Sequence, residues 1–338
     1  MHKQQATRVV WIDIFKGIGI LLVVIGHILA EQKNCPPLYN IIYMFHMPLF
    51  FFISGYLYKQ KSNIKLHIKG KVIQLLIPYT FILLLFIPFN GLSTFLSEPI
   101  TTKSVLTYIT HLLTGGRNFG GATGAFWFIT CLFFVQTIYN FISVKFNSRN
   151  VHLIVFTFLL LSYINSVFYP SFWLPGDANV ALFALPIYHI GHLLHKREKD
   201  IISKPIIMII FAVLAIASVF LLPENRMDMK NNMYGIPVIT LLSSIIMIFF
   251  MMYISQKIAT IKVISSILSE MGKASLVIMY FHLLFIAILS RFMISDIYLV
   301  IPLVTILSYI IYYFTNKWRI SRILILGSKS DYYSRMKK

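Results

Sequence analysis

Charged residues are scarce in this chain, and acidic ones are the scarcest. Only 12% of the 338 residues are charged, with 11 Asp and Glu against 30 Lys and Arg. A soluble domain carries about 25% charged residues, so this deficit argues against an ordinary soluble protein. Because 58% of the residues are hydrophobic, the composition is that of a membrane protein.

Cysteine is almost absent as well. Of the two, Cys35 lies in a predicted loop and Cys131 in the middle of an apolar run. We therefore expect no disulfide between them, and neither has other metal-binding side chains at ligand spacing. A cleavable signal peptide is not expected either, because the first apolar run is long, contains charges and lacks a small-residue cleavage site.

The histidines at positions 189, 192 and 195 have the spacing of a metal motif but not its geometry. On a helix they spread over roughly 120°, and they precede Lys196 and Arg197 at a predicted membrane boundary. This pattern is typical of an interfacial helix end, and no metal site is predicted.

Signatures of nucleic-acid binding are missing despite the net charge of +19. No helix-turn-helix, zinc-finger or RNA-binding motif occurs, and the basic residues fall between apolar runs. Of the 30 Lys and Arg, 23 fall in alternate loops and tails on one side of the predicted membrane, and six on the other. By the positive-inside rule the basic side is cytoplasmic, and both termini are predicted to lie there.

Apolar runs of about 20 residues define the predicted fold. We expect an all-α, polytopic membrane bundle of about ten transmembrane helices in the cell membrane, with residues 1–316 as the membrane domain and 317–338 as a basic cytoplasmic tail. A short run at 104–114 is predicted to be interfacial. The predicted spans are 9–30, 38–58, 72–92, 124–144, 151–169, 178–195, 204–223, 235–255, 272–293 and 297–316.

The first predicted helix carries ionisable residues inside its apolar run. Asp13, Lys16 and His27 share one face, with Lys16 and His27 within about 20° of each other in azimuth and about 16 Å apart along the axis. Each charge at membrane depth costs roughly 2.5–3.5 kcal/mol, so such groups rarely occur without a partner or a task. We expect either an Asp13–Lys16 ion pair with a structural histidine, or a functional site.

Two further histidines lie deep in predicted helices. His46 shares a face with Phe50 and Ser54, and His282 falls near the midplane of its helix. No carboxylate or cysteine lies at that depth, which argues against zinc. A general base with hydrogen-bonding partners fits better, since histidine titrates near neutral pH.

One outer loop is rich in glycine. Residues 115–124 precede Trp127, and a phosphate-binding role is not expected because the loop lies outside. Either a lid or acceptor-binding loop, or plain flexibility, would explain it. Trp127 is most simply an interfacial anchor.

These blocks resemble the acyltransferase family 3 membrane proteins, especially their fucose 4-O-acetylase-like branch. The resemblance rests on Lys16 and His27 with ten residues between them, on residues 45–55, on Trp127-Phe128-Ile129, and on residues 272–282. Many relatives carry Tyr where this chain has Met279.

The resemblance implies transfer of an acyl group, usually acetyl from acetyl-CoA, to a hydroxyl of a surface glycan or its lipid-linked precursor. It implies catalytic roles for His27, Asp13, Lys16 and His46, where His27 acts either as general base or through a transient acyl-histidine. Arg8 and Lys16 are the expected contacts of the anionic donor. Ser54, Trp127 and His282 are candidates for the acceptor or the oxyanion.

A glycolipid transporter or flippase is the alternative function, because buried histidines and proline-interrupted helices occur there too. The absence of an internal repeat in the sequence favours the transferase. The sequence carries no indication of oligomeric state.

Overall fold

The computed structural model describes residues 9–31, 37–97, 101–195 and 205–336. Within these ranges the chain is mostly helical, with one isolated bridge between Asp228 and Met233 and no strand. Arg8, Cys35, Lys196 and Arg197 lie outside the described residues. Cys131 is buried and its thiol is free.

The helices follow the apolar runs of the sequence. Fourteen are described: α1 Val10–Ala30, α2 Pro37–Tyr56, α3 Ile64–Lys71, α4 Ile77–Ser97, α5 Thr102–Thr114, α6 Trp127–Lys145, α7 Ser148–Phe168, α8 Val180–Leu194, α9 Pro205–Leu221, α10 Ile239–Ile258, α11 Lys262–Arg291, α12 Ile297–Thr315, α13 Arg319–Leu326 and α14 Lys329–Arg335. A π-helical segment, Val72–Leu76, joins α3 to α4. Polar side chains begin several helices; Asn63, for example, accepts from the Leu66 amide and so caps α3.

The all-α membrane bundle is confirmed. Among the described residues, eight helical segments are long and apolar enough to cross a membrane. The two other predicted spans correspond to α8, of 15 residues, and α9, of 17 residues. The sidedness of the termini stays a prediction.

Two helices begin well before the predicted boundary. The predicted span 72–92 begins with the π segment and is preceded by α3, and α11 starts at Lys262 instead of residue 272. Lysines and a glutamate in these first turns lower the local hydropathy, so a search for apolar runs misses helix that extends beyond the apolar run.

Glycines bring the core helices into backbone contact. A Cβ at Gly17 of α1 would collide with the Leu268 carbonyl of α11, and one at Gly272 of α11 would collide with the Asp13 carbonyl. Gly55 of α2 meets the Tyr188 carbonyl of α8 in the same way. Such small-residue contacts allow close helix crossing in membrane bundles. They fix α1, α2, α8 and α11 around the candidate site.

Candidate functional site

Two chambers lie end to end in the bundle. The first, the lysine chamber, has a volume of about 380 Å³, and Lys16, Lys59 and Lys71 are among its lining residues. The second, the histidine chamber, has about 180 Å³ and is lined in part by His27 and His46. The two chambers therefore differ in chemistry, one cationic and one built around imidazoles.

A thin apolar septum separates the chambers. Val23 of α1, Met47 of α2 and Met279 of α11 line both of them. Methionine side chains are unbranched and flexible, so they adapt to what passes between them. A linear group held in the lysine chamber could therefore reach the histidine chamber where these side chains move aside.

The helix faces predicted from the sequence connect the chambers. On α1, Lys16 lines the first chamber and His27 the second. On α2, His46 lines the histidine chamber, while Phe50 and Ser54 line the lysine chamber. Both faces thus run along the axis that joins the two chambers, as the spacing indicates.

His27 lies among aromatic rings in the histidine chamber. Its Nδ1 is 3.3 Å from the Tyr43 hydroxyl, and its ring centroid is 5.1 Å from that of His282. The Tyr43 ring in turn lies 4.7 Å from the His46 ring. His27 is partly accessible because it faces the chamber. Tyr43, which sequence reasoning missed, is placed to orient the His27 imidazole.

The tautomers of His46 and His282 follow from their partners. Nδ1 of His46 lies 2.9 Å from the Ile42 carbonyl oxygen, and Nδ1 of His282 lies 2.9 Å from that of Ile278. A carbonyl oxygen only accepts, so in both rings Nδ1 carries the proton and Nε2 is an acceptor when the ring is neutral. An oxyanion needs hydrogen-bond donors, so Nε2 of either ring could serve one only when the imidazole is protonated. The oxyanion role expected for His282 stays a prediction.

The other candidates are distributed as follows. Ser54 accepts from the Gln136 amide in the lysine chamber, across the septum from His27, so it is not placed to stabilise an oxyanion there. Trp127 lines the histidine chamber and is 5% exposed, so its interpretation as an interfacial anchor is wrong. Asp13 is buried and lines neither chamber. The Asp13–Lys16 ion pair stays a prediction.

The charged side chains that line the lysine chamber are all basic. Its described lining residues include the three lysines and His67 but no carboxylate. Gln136 and Tyr58 add uncharged polar groups. A chamber of this kind suits an anionic ligand with an apolar, extended arm.

The glycine-rich loop is packed against the histidine chamber. Lys230, which lines that chamber, donates to the Phe119 carbonyl, and the Arg117 amide donates to Asp177 Oδ1 at 3.0 Å. Burial raises the pKa of Asp177 to about 7, although the Arg117 amide and Lys230 act in the opposite direction. The sequence indicated neither Lys230 nor Asp177, because both contacts join loops distant in the chain.

The histidines of α8 join a hydrogen-bonded chain inside the bundle. The Tyr139 hydroxyl lies 2.6 Å from His189 Nδ1 and 2.7 Å from His192 Nδ1, and His189 Nε2 lies 2.8 Å from His152 Nδ1. Spacing along α8 alone could not show this, since Tyr139 and His152 belong to α6 and α7. These hydrogen bonds position α8 against α6 and α7.

Comparison with known proteins identifies the family of the chain. The sequence profile described as an acyltransferase domain, that of the acyltransferase 3 family, matches residues 9–316. The chain belongs to the acyltransferase 3 family. This membership favours the transferase over the glycolipid transporter that the sequence left open.

Two curated relatives match parts of the chain. Nodulation protein NolL of Mesorhizobium japonicum is 31% identical over 166 residues, which cover 44% of this chain and 42% of the relative. Nodulation protein NolL of Sinorhizobium fredii is 39% identical over 84 residues, or 22% of this chain and 23% of the relative. The chain thus matches less than half the length of these relatives. No solved structure matches the chain.

Proposed function

We propose that this family member transfers an acyl group, specifically acetyl, from acyl-CoA to a hydroxyl of a cell-surface glycan or its lipid-linked precursor. The observation that carries the proposal is the pair of chemically different chambers that share the septum of Val23, Met47 and Met279 beside His27. Two substrates of different chemistry could occupy them at once. We also propose that the chain belongs to the fucose 4-O-acetylase-like branch of the family.

The donor would occupy the lysine chamber. CoA has a polyanionic nucleotide end, which matches the cationic lining, and an extended pantetheine arm, which suits the apolar part of the lining. Lys16 lies about 16 Å before His27 along α1, so a thioester at the end of such an arm would lie at the septum. The positive-inside rule, applied to the loops, predicts that this chamber faces the cytoplasm.

The acceptor would occupy the histidine chamber. Trp127 offers an aromatic face for a sugar ring, and Asp228 and Asn231 offer polar groups near the surface. The acceptor hydroxyl would then face the imidazole of His27. Neither substrate would need to cross the membrane for them to meet.

The chemistry assigned to His27 is general base catalysis. Its imidazole removes the proton of the acceptor hydroxyl as that oxygen attacks the thioester carbonyl carbon. The new C–O bond forms, the C–S bond breaks, and the proton passes from the imidazolium to the leaving thiolate, which gives CoA and the ester. A transient acyl-histidine is the other route, and it would appear as label retained on the protein when acceptor is withheld.

Mass spectrometry of the surface polysaccharide tests the proposal. Cells with the wild-type protein should carry a glycan heavier by the mass of one acetyl group than cells without it. Cells with His27→Ala should lack that mass although the variant reaches the membrane in equal amount. An unchanged glycan in all three would refute the proposed function.

A further inference from the structure

The C-terminal tail folds onto the lysine chamber. Residues 319–335 form α13 and α14 and lie beyond residue 316, where the family match ends. Asp331 of α14 accepts from Arg322 of α13 through both carboxylate oxygens, at 2.8 and 3.0 Å, which holds the two helices together. A bidentate pair of this kind fixes geometry as well as charge.

A glycine sets the tail against the π-helical segment. Gly327, between the two helices, has φ +62°, and a Cβ there would collide with the Gln74 carbonyl. Leu326, the residue before it, lines the lysine chamber together with Gln74 and Lys71. The tail therefore supplies part of the chamber wall.

The same packing gathers positive charge. The Lys329 ammonium lies beside Gly70, where an added Cβ would be 3.6 Å from its Nζ. Lys61, Lys71 and Lys329 all act electrostatically on the imidazole of His67. Burial, and after it repulsion from Lys61, lowers the pKa of Lys329.

No acidic side chain neutralises these three lysines within the described part of the chain. Asp331, the acid nearest in sequence to Lys329, is engaged by Arg322. Like charges held together at a partly buried site repel each other, and a polyanion that binds there removes that cost. The lysines are contributed by the 57–63 loop, α3 and the tail, so they converge only through the fold.

We propose that the tail is part of the donor site, and that Lys329, with Lys61 and Lys71, binds the phosphate groups at the nucleotide end of acyl-CoA. This rests on the proposed acyl-CoA donor. Residues beyond position 316, where the family match ends, would then contribute to the affinity for acyl-CoA. A phospholipid head group shares the phosphate chemistry, so the test must separate the two sources.

Equilibrium binding of radiolabelled CoA to the full-length protein in neutral-lipid nanodiscs provides the test. Lys329→Gln should weaken CoA binding about five-fold at low salt and less at high salt, because salt screens the charge. Lys329→Arg should retain most of the affinity. Lys317→Gln removes the same charge from the same tail at a lysine whose ammonium lies over the Tyr313 ring, 4.7 Å from its centroid, and should bind CoA like the wild type.

S-acetylpantetheine, which lacks the phosphates, separates a binding role from a structural one. It should bind to wild type and Lys329→Gln equally. Equal weakening of both ligands would mean that the variant only distorts the chamber, and unchanged CoA affinity would refute the role of Lys329. Loss of retained anionic phospholipid in Lys329→Gln with CoA affinity intact would assign the cluster to lipid and overturn the proposal. If the wild type bound no CoA, the donor assignment itself would fail.

Discussion

The imidazole rings of His27 and His282 lie 5.1 Å apart, centroid to centroid, where α1 crosses α11. His282 is fully buried, and its Nε2 has no hydrogen-bond partner in the described part of the chain. His27 faces the histidine chamber. Of the two, His27 is therefore the one placed to exchange a proton with a substrate.

Replacement of His27 tests this assignment. His27→Ala should lower the rate of acyl transfer by about 10²–10⁴-fold, the usual contribution of a general base, with little change in expression. His111→Ala on the exposed helix α5 provides the matched control and should retain full activity. Transfer by His27→Ala within a few-fold of wild type would remove His27 from the mechanism.

The septum can be tested at Met279. Met279→Trp should fill the passage between the chambers and lower transfer by at least about ten-fold, because a larger, stiffer ring cannot move aside as a thioether does. CoA binding should persist, since Met279 belongs to the septum, whereas Lys59 and Lys71 line only the lysine chamber. Normal transfer by this variant would show that the acyl group takes another route.

The contact between α1 and α11 predicts a stability effect at Gly272. A methyl group there meets the Asp13 carbonyl, so Gly272→Ala should destabilise the bundle by about 1–3 kcal/mol and lower the thermal transition in detergent. Gly120→Ala is the control, because nothing lies within 4 Å of the added Cβ. Equal transition temperatures for the two variants would contradict the close packing described above.

The raised pKa of Asp177 predicts that the stability of the folded protein depends on pH. Its pKa is about 7 in the folded protein, raised from an ordinary value of 3.8 chiefly by burial. Between these values the folded state holds a proton that the unfolded state has released, so stability should fall as pH rises from about 4 to about 7. The thermal transition of wild type should therefore be a few degrees higher at pH 5 than at pH 8.

Asp177→Asn removes the titration but keeps an oxygen that can accept from the Arg117 amide, which lies 3.0 Å from Oδ1 in the wild type. Its transition temperature should change less between the two pH values than that of wild type. An equal change of transition temperature with pH in both proteins would show that Asp177 is not the group that titrates.

Much of this arrangement could be predicted because it depends on spacing within single helices. The face of α1 that carries Lys16 and His27, and the face of α2 that carries His46 and Ser54, follow from 3.6 residues per turn. Spacing cannot give the contacts between helices. It missed the Tyr43 hydroxyl at His27, Lys230 in the histidine chamber, and Lys329 beside Gly70, because these depend on how distant segments pack.

The predicted depth of a polar residue in the membrane also says less about its chemical role than its local hydrogen bonds do. His46 and His282 were singled out by their predicted depth, yet each donates its Nδ1 proton to a carbonyl oxygen of its own helix. The carbonyl oxygen one turn earlier in the helix therefore decides which ring nitrogen carries the proton, and a depth estimate does not consider it.

We propose that donor and acceptor reach the septum from opposite sides of the membrane. Membrane vesicles of defined orientation, supplied with labelled acetyl-CoA on one side and acceptor glycan on both, test it most directly. We expect labelled glycan only when acetyl-CoA faces the cytoplasmic surface, where the lysine chamber is predicted to open. Equal labelling from acetyl-CoA on the opposite face would contradict it.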